Sequence, residues 1–167
     1  MLPLAAAWLL AGVTLLAACG AQDERPTTTS DRRVGSEAVA TWIEELRIPD
    51  PALWKRRVAA LGGAGAPAVP ALIEALRDPS RAVREGAAHA LGDIGARAAP
   101  AVEALIVAFE DPDDFVRWKA ARALGRIGPA ARAAVPILRP AATDPRETEV
   151  VRATAIRALE QISGSGS

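Results

Sequence analysis

The chain has 167 residues with 20 basic and 20 acidic side chains, so its formal net charge is zero. That balance argues against nucleic-acid binding, which usually shows a basic excess, and against strong electrostatic attachment to anionic lipid. Half the residues are hydrophobic but only 4% are aromatic and none is Tyr. A folded core must then come from Ala, Leu, Val and Ile.

In chain order, the first feature is "MLPLAAAWLLAGVTLLAACGAQDERP", with no charged side chain before Asp23. "LAAC", Leu16 to Cys19, resembles the lipobox of bacterial lipoproteins. The resemblance implies that residues 1–18 are a signal peptide and that Cys19 is the lipidated first residue of the mature chain. "MLPL" departs from the pattern, since a signal peptide ordinarily starts with a positively charged region. An uncleaved anchor and an ordinary secretory signal remain open. All three place the folded part outside the cytoplasm, in the cell envelope on the periplasmic side or at the outer membrane. Residues 19–36 are polar and threonine-rich without apolar periodicity, which reads as a flexible tether.

From residue 37 the chain repeats itself. Asp-Pro recurs at Asp78–Pro79, Asp111–Pro112 and Asp144–Pro145, each 33 residues after the last. The same offset relates Val83–Arg84 to Val116–Arg117 and "ALG" at 90–92 to "ALG" at 123–125. Upstream, "APAVPALIEAL" (66–76) aligns with "APAVEALIVAF" (99–109) and more loosely with "RAAVPILRPAA" (132–142). Self-similarity at such a period marks a solenoid.

Each unit reads as helix, turn, helix. Residues 67–77 carry Val69, Leu72, Ile73 and Leu76 on one helical face, and the next unit repeats them as Val102, Leu105, Ile106 and Phe109. In the second helix, Val83, Ala87, Leu91 and Ile94 form an apolar stripe, repeated by Val116, Ala120, Leu124 and Ile127. Asp before Pro is expected to cap this second helix, with Pro at its first position. Gly95 and Gly128 are expected to end it in a left-handed conformation. Four units are counted, the first (about 37–64) and last (about 131–163) being irregular, as capping units are. Trp42 and Trp54, in the first unit, are expected to seal that end of the core. Residues 164–167 read as a disordered tail.

The pattern "DP…VR…A…ALG.IG" resembles the HEAT-repeat family, in particular the short HEAT-like repeats also found in phycobilisome bilin lyases. The resemblance covers residues 37–163 and implies an all-α, right-handed α-solenoid of about four helix-turn-helix repeats. It further implies that Asp78, Asp111 and Asp144 form an internal ladder with Arg84, Arg117 and Arg152. Finally, it implies that the second helices line a concave face.

On that face the spacing places Glu85, His89 and Asp93 in unit two, Trp118, Arg122 and Arg126 in unit three, and Ala153, Arg157 and Gln161 in unit four. Trp beside arginines is the composition of interface hot spots. Trp118, Arg122, Arg126, His89, Glu85 and Arg157 are therefore the candidate partner-binding residues, acidic on one flank and basic on the other. A solvated helix face with Trp118 folded over its own stem is the competing reading. Catalysis has little support. Ser80 follows a helix cap, Ser30 and Ser36 lie in the tether, and no serine elbow or phosphate-binding loop is present. One Cys and one His allow no disulfide or His/Cys metal cluster, and no cofactor is implied.

The function expected is that of a non-enzymatic, monomeric adaptor or scaffold. It would be held to the membrane through its lipid anchor alone and would bind another protein. The alternative is a subunit or relative of a bilin-lyase-type, tetrapyrrole-handling protein.

Overall fold

The computed structural model describes residues 29–164, all helix and turn. Cys19, the proposed signal at 1–18 and the last three residues lie outside the described residues. The helices are α1 (Thr29–Glu45), α2 (Pro51–Ala64), α3 (Val69–Ala75), α4 (Arg81–Ile94), α5 (Val102–Ala108), α6 (Asp114–Ile127), α7 (Val135–Ala141) and α8 (Glu149–Ser163). They pair as four units in two layers. In the inner layer α2, α4, α6 and α8 pack side by side, while α1, α3, α5 and α7 cover them from outside. The architecture is an all-α solenoid.

The two layers are built differently because their sequences are. Each outer helix beyond the first unit is only seven residues long and is led in by a 3₁₀ turn, at Ala66–Ala68, Gly95–Ala101 and Gly128–Ala134. Pro70 and Pro136 sit in the first turn of α3 and α7, where a missing N–H costs nothing. The inner helices are buried on more than the expected stripe. Val83, Ala87 and Leu91 are fully buried, and so are Ala88 and Ala90 on the flanks that touch the neighbouring helices. Ala121 and Ala123 do the same in α6. Small side chains there allow close approach, and burial of each Leu or Ile contributes about 1.5–3 kcal/mol.

Closest approach falls on the glycine of "ALG". A Cβ at Gly92 would lie 3.2 Å from Ala123 Cα, and one at Gly125 would lie 3.0 Å from Ala158 Cα. These glycines are contact points between successive inner helices rather than flexible joints. Gly95 and Gly128 end α4 and α6 at φ of 66° and 76°, as expected in sign. Their ψ of −138° and −142° takes them out of the left-handed helical region into one that glycine alone occupies readily.

Two sequence expectations need amendment. Helix α1 begins at Thr29, so its first turns run through residues read as tether; a polar stretch can be helical when the same helix continues into Val39 and Ile43, which are buried. Asp-Pro caps a helix only at Asp50–Pro51, where Asp50 accepts from the amides of Ala52 and Leu53 at 2.8 and 3.1 Å. At Asp78 and Asp111 the carboxylate instead accepts from the amide two residues on, Ser80 at 2.7 Å and Asp113 at 2.9 Å. These are turns ahead of the helix. The caps are Ser80, Asp113 and Thr148; Ser80 thus occupies the cap rather than following it.

Candidate functional site

Displacing Asp78 and Asp111 from the cap leaves their carboxylates free to meet the preceding unit. Arg84 donates to both oxygens of Asp111, at 2.7 and 3.1 Å, and the same guanidinium donates to the carbonyls of Asp78 and Pro79 at 3.0 and 3.1 Å. One side chain therefore closes its own turn and ties it to the next. Arg117 repeats this on the carbonyls of Asp111 and Pro112, at 2.8 and 3.2 Å. Its carboxylate partner is Glu147, at 3.0 and 3.1 Å. Asp144 does not receive Arg117: it holds Arg146 at 2.8 Å, and Glu147 takes the ladder position instead. Arg152 closes its turn on the Glu147 carbonyl at 2.8 Å. Asp78 is met by Arg47, at 2.8 and 2.6 Å, a residue outside the repeat pattern that the sequence did not single out.

On the inner face the structure brings the candidate residues into two groups. At the α4–α6 junction acidic and basic side chains answer one another. Arg126 pairs with Asp93, and Arg81 pairs with Asp113 at 2.9 Å and approaches Glu85 at 3.8 Å. Lys119 is the surprise. It is 7% exposed, with Nζ 3.9 Å from the centre of the Trp118 ring. Burial drives its pKa down, while the nearby Glu85 carboxylate holds it up. Glu85 is itself pushed up by burial and held down by Lys119 and Arg81. Lys119 is aligned with Gly86 in unit two, where a Cβ would run into Leu46, so the 33-residue repeat disguised its position.

His89 lies in the same junction, 6.0 Å from the Trp54 ring and 3.7 Å from Asp93. Its Nδ1 is buried without a hydrogen-bond partner among the described residues. Burial, with Lys119, Arg122 and Arg126 nearby, lowers its pKa to about 4 against the pull of Asp93, so the ring is neutral at pH 7. Trp54 donates from Nε1 to the Ala82 carbonyl at 3.1 Å and packs against the core, as does Trp42.

Trp118 separates this compensated junction from a second one. It is half-buried, stands edge-on to the exposed Phe115 at 6.3 Å, and carries Lys119 over its face. Arg81 in turn lies 4.8 Å from the Phe115 ring. On the other side of Trp118, between α6 and α8, is a cavity of about 390 Å³ lined by Trp118, Arg122, Arg126, Thr154, Arg157 and Gln161. No acidic residue lines it, and neither Arg122 nor Arg157 forms an ion pair among the described residues. Thr154 was not singled out from the sequence, because reading outward from the buried stripe selects Ala153 instead. No three His, Cys, Asp or Glu among the described residues lie together as a metal site would need.

A model of HEAT repeats matches residues 39–106 and 96–160. The chain belongs to the HEAT-repeat family. Among curated proteins, none matches it. Among solved structures, a chain in the complex of CpcE and CpcF of phycocyanin lyase, from Nostoc sp. PCC7120, is similar. It has 24% identity and a TM-score of 0.69, over 77% of this HEAT-repeat chain and 80% of the other. At that identity the likeness establishes the shared fold. It also overturns the expectation of a non-enzymatic protein, since the same solenoid fold occurs in a phycocyanin lyase complex.

Proposed function

We propose that this HEAT-repeat protein associates with another protein through its inner face, held outside the cytoplasm by a lipid on Cys19 and the polar segment that follows. The observation that carries the association is the half-buried Trp118 beside the cavity between α6 and α8, with Arg122, Arg126 and Arg157 around it. An aromatic wall flanked by guanidiniums is the anchor composition of protein interfaces. The Nostoc relative, described as a complex of two subunits, supports partnership as a use of this fold. The envelope location rests on "LAAC" and the uncharged run before it.

Two experiments test this. Intact mass of the membrane fraction should show a chain beginning at Cys19 with acyl mass, lost in Cys19→Ser; an unmodified chain in the soluble fraction would remove the envelope reading. A photo-crosslinking residue at Ala153, exposed on the inner-face helix α8, should give a discrete adduct that Trp118→Ala abolishes. The same residue at Val107, 62% exposed on the outer helix α5, should give none. Equal adducts from both positions would remove the inner face as the docking surface.

A second reading draws on the neighbour, a phycocyanin lyase complex, and on the resemblance of the repeats to those of bilin lyases: a subunit of a lyase-type, tetrapyrrole-handling assembly. A bilin added to the purified chain would then show a red-shifted absorbance, sensitive to the same inner-face substitutions. An unchanged spectrum rejects it.

A further inference from the structure

Among the described residues, the α6–α8 cavity differs from the α4–α6 junction in that its Arg122 and Arg157 form no ion pair. We infer that it is a carboxylate-binding groove and that its occupant is an acidic segment of a partner protein; this rests on the association proposed above and specifies its chemistry.

The chain is neutral as a whole, so positive charge collected at one place is a local property rather than a by-product of composition. The α4–α6 junction compensates its charges internally through Arg126–Asp93 and Arg81–Asp113. Arg122 and Arg157 are left over on facing helices, with Arg126 at the edge of the same cavity. A guanidinium is planar and presents paired N–H donors that match a carboxylate. Two of them across a groove will take two carboxylates, or both oxygens of one. The Thr154 hydroxyl and the Gln161 amide add donors that can turn toward an anion. Trp118 supplies an apolar wall on which the side chain next to an acidic residue can pack. At about 390 Å³ the cavity falls in the range of pockets that hold small ligands, about 300–1,000 Å³, and suits a few peptide side chains rather than a whole helix. Its surroundings are also sensitive to added charge, since Arg122 and Arg126 both contribute to holding His89 neutral.

The test uses the full chain in detergent micelles and a fluorescein-labelled peptide of alternating Glu and Leu, read by anisotropy. Its analogue with Gln for every Glu is the control. The Glu peptide should bind at least about tenfold tighter than the Gln peptide at low salt, and lose that advantage as salt rises. Arg122→Gln and Arg157→Gln should each weaken it by about tenfold, one charge-assisted contact being lost. Arg77→Gln, on the exposed turn after α3, should leave it unchanged. Citrate and inorganic phosphate should compete only weakly, because neither offers the side chain that packs on Trp118. The proposal is overturned if both peptides bind alike, if the two arginine variants bind as wild type, or if citrate, phosphate or a short oligonucleotide displaces the peptide at equal concentration. Should the Glu peptide fail while Trp118→Ala still abolishes the crosslink at Ala153, association through this face stands and only its carboxylate chemistry falls.

Discussion

The α4–α6 and α6–α8 junctions are made from the same repeat, share helix α6, and end in opposite states. At the first, every acidic candidate side chain has a basic neighbour: Asp93 with Arg126, Glu85 with Arg81 and the buried Lys119. At the second, α8 presents Thr154, Arg157 and Gln161, and among the described residues no carboxylate pairs with Arg122. What differs is three residues on one helix face, yet one junction is closed by its own charges and the other keeps a cavity. A repeat protein can therefore carry a charge-compensated junction beside an open one, according to which side chains its inner helices present.

This contrast can be broken at the structural side most severely. Arg84→Ala leaves Asp111, whose side chain is 8% exposed, without its ion pair, and opens two turn carbonyls. The expected loss is about 2–3 kcal/mol of stability, measured by urea unfolding; a loss below about 0.5 kcal/mol would demote the ladder to an ordinary surface pair.

A smaller effect comes from His89. Its folded pKa of about 4 lies below its ordinary value of 6.5. Between those values the unfolded chain binds the proton and the folded chain does not, so the His89 contribution is intact above pH 6.5 and declines as pH falls toward 4. With the side chain 23% exposed, the loss is on the order of 1–2 kcal/mol. His89→Phe should flatten stability across that window, and an unaltered pH profile would show that the ring is not held neutral.

Smaller again is Gly92→Ala. A methyl group 3.2 Å from the Ala123 backbone must push α4 from α6, while alanine's helix preference returns about 1 kcal/mol. A net destabilisation of about 1 kcal/mol is expected, and a stabilised variant would mean the helices can part freely. The smallest effect is at the open junction: Arg122→Gln or Arg157→Gln should change stability by less than about 0.5 kcal/mol, because neither side chain forms an ion pair among the described residues. A larger loss would show that the open junction is structural after all.

Sequence alone determined the repeat, the pairing of helices and the buried stripes, since apolar spacing and a 33-residue period are local properties of the chain. Val83, Leu91, Val116 and Leu124 could be placed in the core by counting, and are fully buried. The candidate residues on the inner face could be named in the same way. Tertiary structure decided which of them neutralise each other. It also decided that Asp-Pro makes a turn before the helix, that Glu147 replaces Asp144 in the ladder, and that Lys119 is buried against Trp118. The physical reason is common to all of these. Periodicity says which way a side chain leaves its own helix, but partnership depends on the register and separation of neighbouring helices. That register is set by backbone contacts at Gly92 and Gly125, where only the absence of a side chain lets the next helix come close enough.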